Sequence, residues 1–192
     1  MELKPYVAID IETTGVRPEA QVLQIAMIFD DLKSPLEYLE AHSFLIDNSD
    51  EPYVGKLEPV ALGMNGWIYK EISAEKSKHK IFKKGDAIGH FHSLILRFHE
   101  LSSPKRITFA GKNVQGFDYQ YLGRNGFINE ANESLISHRM IDTGALYLPE
   151  FGYVPAQDEI NKFIGRKPVS HDAYDDAIDV VCAIRQKLKV GL

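Results

Sequence analysis

Two acidic residues that alternate with isoleucine lie near the start of the chain, at Asp10 and Glu12. The apolar run before them predicts a buried strand. Because side chains alternate along a strand, both carboxylates would share one face. Like charges on a buried face repel each other and lose hydration, and a hard divalent cation between them removes that cost. The alternative is a frayed strand end that enters the polar turn at residues 13–15.

A third carboxylate, Asp118, follows Phe117 in a segment with helical spacing. On a helix it would share a face with Tyr121 and Leu122, which lie three and four positions later. A carboxylate on an apolar face needs a partner. The alternative is an aspartate that caps the start of the helix.

A histidine and a fourth acid, His171 and Asp176, flank the predicted start of the last helix. Residues five apart do not share a helical face. If the helix begins near Ala173, capped by Asp172 or Ser170, the histidine lies in the preceding loop and can turn back toward Asp176. Alone, it would be interpreted as a surface or capping histidine, and the neighbouring aspartates as acids that complement the helix dipole.

In order and spacing, these residues together resemble the three motifs of the DEDDh (DnaQ-like, proofreading-type) 3′–5′ exonucleases of the ribonuclease H-like superfamily. The motifs correspond to residues 10–15, to 113–118, and to His171 with Asp176. Weaker matches are residues 66–67 and 141–143, so the resemblance covers nearly the whole chain. The second motif departs from many relatives, because Lys112 replaces a histidine and the stretch from Asn113 to Asp118 is one residue longer.

The resemblance implies metal-dependent hydrolysis of phosphodiester bonds from a 3′ end, with release of nucleoside monophosphates. Two Mg²⁺ or Mn²⁺ ions, about 3.5–4 Å apart in such sites, would clamp the attacking and leaving oxygens. By analogy Asp10 bridges both ions, Glu12 and Asp176 complete the site that activates water, and Asp118 supports the second ion through water. His171 is the expected general base, since an unperturbed imidazole has a pKa of about 6.5.

The resemblance also assigns substrate contacts. The turn after Glu12 is expected to hold the terminal 3′-hydroxyl, and Trp67 to stack on the terminal base, although a core tryptophan explains that residue equally well. Asn113 lies at the edge of the expected site. The expected substrate-binding residues are Thr13, Thr14, Gly15, Met64, Trp67 and Asn113.

The expected partners are 3′ ends of single-stranded nucleic acid, with DNA favoured over RNA. An exoribonuclease that acts on short oligoribonucleotides or RNA ends is the alternative, because the motifs do not separate the two sugars. An inactive domain kept for binding or scaffolding is a third interpretation. A polymerase or repair partner and a homodimer are left open.

Composition sets wider bounds on the class of protein. A chain of 192 residues with 44% hydrophobic and 26% charged residues predicts one exonuclease domain over residues 1–192. The net charge of −5 argues against broad binding to duplexes, although lysines cluster between Lys76 and Lys84. The single cysteine, Cys182, excludes an internal disulfide, and the chain lacks a long apolar run or an apolar N-terminal signal. We therefore expect a cytoplasmic protein without a membrane segment.

The elements that must position these residues predict an α/β fold. Strands over residues 4–12, 21–29 and 37–47 form an antiparallel meander. Helical spacing follows from Ile88 to Phe98, then a strand at 107–110, a helix at 117–122 stopped by Gly123, a short strand at Ile141 and a last helix at 173–189. This order predicts a ribonuclease H-like mixed sheet, with an antiparallel meander plus parallel strands, flanked by helices.

Overall fold

The computed structural model describes residues 4–51, 58–74, 76–102 and 105–191. Over these ranges the chain forms six strands and six α-helices. The strands are β1 (Tyr6–Thr13), β2 (Val22–Asp30), β3 (Glu40–Asp47), β4 (Lys80–Lys83), β5 (Phe109–Gly111) and β6 (Ile141–Asp142). The helices are α1 (Pro59–Ile72), α2 (Lys84–Ser102), α3 (Asp118–Arg124), α4 (Thr143–Phe151), α5 (Gln157–Phe163) and α6 (Ala173–Leu188).

The six strands form one mixed sheet in the order β4-β3-β2-β1-β5-β6. β2 pairs antiparallel with both β1 and β3, which confirms the predicted meander. β1 pairs parallel with β5, and β5 pairs parallel with β6. The carboxyl ends of β1, β5 and β6 therefore meet at one edge of the sheet, where open α/β sheets bind their ligands.

The two faces of β1 pack against different helices because its side chains alternate. Ile9 and its neighbours on that face join a large core with α2 and α3. Tyr6 and Ala8 on the other face pack against α6. Small residues at this second contact, among them Ala26 and Ala177, allow α6 to lie close to the sheet. The acids of β1 lie on the face toward α6.

The sequence placed most elements within one or two residues, and three predictions were wrong in detail. The third strand begins at Glu40 rather than at residue 37, because residues 36–38 form a 3-10 turn after Pro35. Helix α3 continues through Gly123 to Arg124. Part of the lysine cluster, interpreted as a surface loop or helix start, is the edge strand β4, whose Ile81 and Phe82 pack against the core.

Helices α1, α4 and α5 were not predicted from the sequence. α1 exposes several apolar side chains, including Val60 and Met64, so it lacks a clear apolar stripe. α4 contains Pro149, a residue that normally argues against a helix interior. In the described ranges, none of the helices combines the length and apolarity that a membrane span requires.

Candidate active site

The two acids of β1 occupy its carboxyl-terminal half. Asp10 pairs with Ala26 on β2, and Glu12 pairs with Gln24. Ala26 belongs to the core that packs against α6, so both carboxylates face that helix, as the alternation predicts. Asp10 is half-buried and Glu12 is buried.

Asp118 is the first residue of α3 and is buried. The helix cap is Phe117, so the interpretation of Asp118 as a capping residue was wrong. Backbone amides of Ile11 and of Asp118 itself hydrogen-bond to its carboxylate. Asp118 is also the charge that raises the pKa of Asp10 most. The carboxylate of Asp118 therefore lies close to Ile11 of β1 and to Asp10.

The start of α6 brings His171 and Asp176 to the β1 acids. Asp172 caps the helix and accepts a hydrogen bond from the Tyr174 amide at 3.0 Å, as one of the two predicted caps. His171 lies in the preceding loop with a left-handed backbone, at φ 56°. Ligating atoms of Glu12, His171 and Asp176 all lie within 4.8 Å of one another. Residues distant in sequence thus form a compact three-residue group.

Two side chains from other elements hold the His171 loop. Trp67 of α1 donates its indole N–H to the His171 carbonyl oxygen at 3.2 Å. Gln24 of β2 donates to the Asp172 carboxylate at 2.9 Å and accepts from the Ala173 amide at 3.1 Å. Left-handed backbone costs a non-glycine residue free energy, and these contacts fix it in place.

Burial raises the pKa of all four acids, and the charge of neighbouring acids adds to the effect. Burial is the largest cause in each case. It raises the pKa of Glu12 to about 7, and Asp176 and Asp172 add to the effect. The pKa of Asp118 is raised to about 8. The pKa of Asp10 is raised well above its usual range, next by the charges of Asp118, Glu12 and Asp176. The protein alone therefore leaves this cluster of charge uncompensated.

Hydrogen bonds offset only part of this penalty. The side chain of Asn65 on α1 hydrogen-bonds to Glu12 and lowers its pKa, and its amide nitrogen donates to the Thr13 carbonyl at 2.9 Å. The Ser170 amide donates to Asp176 at 3.0 Å and lowers the pKa of that acid. The positive charge of His171 lowers it further.

The acids open into a cleft of about 540 Å³. One wall is apolar and comes from the loop after β1 and from α1, with Val16, Val60, Ala61 and Met64. The other side carries Lys112, which follows β5, and Gln157 of α5. The cleft therefore combines an apolar wall with carboxylates and one lysine.

Glu58, at the start of α1, connects this helix to the loop after β1 through hydrogen bonds. Its carboxylate accepts from the amides of Val16 and Arg17 at 3.0 and 3.1 Å. A Cβ at Gly15 would lie 2.3 Å from a carboxylate oxygen of Glu58. A side chain at Gly15 would therefore displace the Glu58 carboxylate from these hydrogen bonds, which gives one glycine of the first motif a packing role.

The predicted substrate-binding residues occupy different places. Thr13, Gly15 and Met64 line the cleft. Thr14 is buried, and its hydroxyl accepts from the Gln21 amide at 2.9 Å, so it stabilises the turn. Trp67 packs on His79 at 5.4 Å between ring centroids and lies outside the cleft lining.

Asn113 is exposed and also lies outside the cleft lining. Its backbone is left-handed, at φ 55°, and its amide donates to Asp142 at 2.6 Å. The structure therefore gives Asn113 a role in the turn that follows β5 and Lys112.

Several cleft residues were missed by the sequence analysis. Their partners are distant in sequence, and the one local signal was a glutamine within the apolar strand β2. The missed residues that line the cleft are Glu58, Asn65 and Gln157, and the missed Gln24 holds the loop of His171 beside it.

The donor set fits a hard divalent cation. Mg²⁺ and Mn²⁺ prefer carboxylate oxygens, and four carboxylates converge here. Burial, with repulsion between neighbouring acids, raises the pKa of these carboxyl groups, and a bound cation would favour their charged forms. Asp10, Glu12, Asp118 and Asp176 would hold the ions, and His171 lies beside two of them.

No protein-family model and no curated protein matches this sequence. Among solved structures, the chain is similar to E. coli Exonuclease I in complex with a dT13 oligonucleotide, with a TM-score of 0.65 and 18% identity. That match covers 97% of this chain and 41% of the other. The zinc-bound complex of E. coli Exonuclease I with single-stranded DNA gives 0.62 and 18%, over 96% and 40%. The complex with dA16 gives 0.61 and 18%, over 97% and 41%.

These matches show that the chain has the ribonuclease H-like mixed sheet flanked by helices. At this identity the likeness concerns the fold. The chain spans about two fifths of the length of the Exonuclease I chains it matches.

Proposed function

We propose that this chain is a 3′–5′ exonuclease domain that hydrolyses phosphodiester bonds at the 3′ end of single-stranded DNA and releases nucleoside monophosphates. It would use two divalent ions, Mg²⁺ or Mn²⁺, with His171 as general base. We also propose that residues 1–192 form a single exonuclease domain.

The observation that carries the proposal is the convergence of four carboxylates and a histidine at the carboxyl ends of the central strands. They come from β1, α3 and the start of α6. A structural role explains such a group poorly, because buried like charges destabilise a fold unless a ligand compensates them. Strongly perturbed acids in a cleft are typical of functional sites.

Divalent ions bound to these acids would supply Lewis-acid catalysis and neutralise charge that develops on the phosphate. The chain's own residues have separate tasks. Glu12 and Asp176 orient the site around the imidazole of His171, which takes the proton from the attacking water. The Trp67 and Gln24 contacts hold the His171 loop while the proton moves.

The apolar wall supports the assignment to the end of a strand. A terminal base packed against Val16, Val60 and Met64 would place its 5′ phosphate over the acids. Apolar contacts do not read base identity, so we expect little sequence preference. The matched Exonuclease I structures contain single-stranded DNA, which favours DNA over RNA for this chain as well.

The direct test uses 5′-labelled single-stranded DNA and RNA of the same sequence, each with Mg²⁺ or with a chelator. We expect a 3′-shortening ladder that needs metal and that is faster on DNA. Asp10→Ala should abolish it. The matched control is Asp86→Ala, which removes an exposed acid at the start of α2 and should cleave normally.

Other outcomes would favour the alternatives. A faster ladder on RNA would support the exoribonuclease interpretation. Metal binding and oligonucleotide binding without any shortening would contradict the proposal and support a binding module. Unchanged cleavage by Asp10→Ala would overturn the whole site assignment.

A further inference from the structure

A lysine lies in the acidic cleft without a partner. Lys112 lines the cleft together with Asp10, Glu12 and Asp176. It follows β5, whereas the apolar wall belongs to the loop after β1 and to α1. Its amino nitrogen lies next to Gly144 at the start of α4, an element different from those that form the apolar wall.

Among the described residues, Lys112 makes no ion pair and no hydrogen bond through its side chain. A half-buried ammonium gains free energy from any nearby acceptor, so an unpaired lysine in an acidic cleft is unusual. Two other lysines show the ordinary behaviour: the exposed Lys83 of β4 pairs with Asp47 at 2.8 Å, and the half-buried Lys84 of α2 pairs with Glu51 at 3.3 Å.

The neighbouring backbone leaves room for this side chain. A Cβ at Gly144, in the first turn of α4, would lie 2.8 Å from the Lys112 amino nitrogen. The buried Gly144 thus permits the lysine to extend over the N-terminal end of α4. The N-terminal end of a helix carries positive partial charge, and the acid that caps α4, Asp142, already accepts hydrogen bonds from the amides of Asn113 and Ala145. An anion from outside would be favoured by both the lysine and the helix end.

The charge balance of the proposed site also favours an anionic ligand beside Lys112. Two divalent ions would neutralise the four ionised carboxylates and leave no net attraction for the backbone of a nucleic acid. Each phosphodiester adds one negative charge, and Lys112 is the one lysine or arginine among the described cleft-lining residues. Lysine binds phosphate as a point charge without demanding a fixed geometry.

We propose that Lys112 is a phosphate-binding residue of the substrate strand, contacting either the scissile phosphate or the next phosphate on its 5′ side. This inference rests on the proposed function. It assigns a role to a position where the second motif departs from the pattern of many relatives, and it makes Gly144 the residue that keeps the phosphate site open.

The test compares Lys112→Met, which keeps most of the side-chain volume, with Lys112→Arg, which keeps the charge. Lys162→Met is the matched control, because it makes the same charge change at an exposed position of α5 outside the cleft lining. Two probes are used with Mg²⁺: an oligodeoxythymidylate, and the p-nitrophenyl ester of thymidine 5′-monophosphate, which contains only the scissile phosphate. Binding of the labelled oligonucleotide is measured separately with Ca²⁺ in place of Mg²⁺.

We expect Lys112→Met to lose about 10- to 100-fold in kcat/KM on the oligonucleotide, the worth of one charge-assisted hydrogen bond. Lys112→Arg should recover most of that loss, and Lys162→Met should match the wild type. A loss on both probes assigns the contact to the scissile phosphate. A loss on the oligonucleotide alone assigns it to the neighbouring phosphate.

Wild-type rates and affinities for Lys112→Met on both probes would overturn this inference and leave the exonuclease proposal intact. If the wild type binds the oligonucleotide without cleaving it, and Lys112→Met weakens that binding, the phosphate contact is supported while the exonuclease proposal fails. If the wild type neither binds nor cleaves, both are overturned.

Discussion

Helix α6 packs on the paired strands β1 and β2, and the charged groups at the two ends of this contact differ in how their charges are balanced. At one end, the carboxylate of Asp30 is fully buried and accepts hydrogen bonds from Arg185 at 2.7 and 3.0 Å and from Tyr6 at 2.6 Å. Arg185 also donates to backbone carbonyls of Ser34 and Gly191. The charges of Asp30 and Arg185 therefore balance each other within the fold.

At the other end, β1 and α6 bring Asp10, Glu12 and Asp176 together, and among the described residues none of the three forms an ion pair with a lysine or arginine. Burial and repulsion raise the pKa of each. A buried charge is stable within the fold when the protein supplies its counter-ion, as at the Asp30 end. Acids that lack such a counter-ion in a cleft indicate a site for a ligand. The Asp30–Arg185 end stabilises the fold, and the acidic end is available for function.

The largest effect is expected at the acidic end, from loss of the proposed base. His171→Ala should lower kcat by about 100- to 10,000-fold, the usual contribution of a general base, with metal binding retained. His138→Ala, which removes an exposed histidine, is the control and should keep its activity. Steady-state kinetics and Mn²⁺ titration measure both properties. A near wild-type rate for His171→Ala would contradict the assignment.

The next largest effect is expected at the balanced end, on stability. Arg185→Met leaves the Asp30 carboxylate buried and unpaired, and should lower the free energy of unfolding by about 3–5 kcal/mol. Arg97→Met breaks the exposed pair with Glu40 and should cost less than about 1 kcal/mol. Urea denaturation measures both. Equal losses would show that burial does not distinguish these two ion pairs.

The two ends should also differ in their response to pH. An acid whose folded-state pKa is raised favours the folded state below its unfolded pKa, and this contribution is lost as pH rises through the folded value. For Glu12 and Asp118 that window runs from about pH 4 to values near 7 and 8. Metal-free protein should therefore lose stability across this window.

Added Mg²⁺ should restore that stability, and by more at pH 8 than at pH 5. Glu12→Gln removes the buried charge and should raise the metal-free free energy of unfolding at pH 8 by about 1–3 kcal/mol, while impairing cleavage. Thermal unfolding at both pH values, with chelator and with Mg²⁺, measures this. A metal-induced shift that is independent of pH would contradict the proposed charge imbalance.

The smallest effect is expected from the residues that hold the proposed general base, His171, in position. Trp67→Phe keeps a ring against His79 but removes the hydrogen bond to the His171 carbonyl. We expect kcat to fall by about 3- to 10-fold, since one neutral hydrogen bond contributes roughly 0.5–1.5 kcal/mol, with KM nearly unchanged. The pH–rate profile should shift if the imidazole is displaced. An equal rise in KM would instead place Trp67 against the substrate.

The sequence predicted the parts of the site that have local signals. A period of two placed Asp10 and Glu12 on one face, and helical spacing placed Asp118 with Tyr121 and Leu122, all buried in α3. The meander and the mixed sheet also followed from the order of elements.

The supports of the site could not be predicted, because they depend on contacts distant in sequence. Gln24 and Asp172 are 148 residues apart, and Trp67 and His171 are 104 apart. Neither Gln24 nor Trp67 has a neighbour in its own segment that indicates its distant partner. Asn113 shows the opposite case, because its motif position indicated substrate binding while its left-handed backbone and exposure indicate a turn.

The most direct measurement compares two adjacent aspartates of α6 in the cleavage assay with Mg²⁺. Asp176 is buried toward the β1 acids, whereas Asp175 is exposed. Losing a residue that only hydrogen-bonds to a metal ligand costs up to roughly 100-fold in activity. Asp176→Asn should lower the rate of 3′ shortening by more than that, because Asp176 would itself be a ligand. Asp175→Asn should match the wild type. Equal rates for the two variants would contradict the conclusion that the unbalanced acids form the active site.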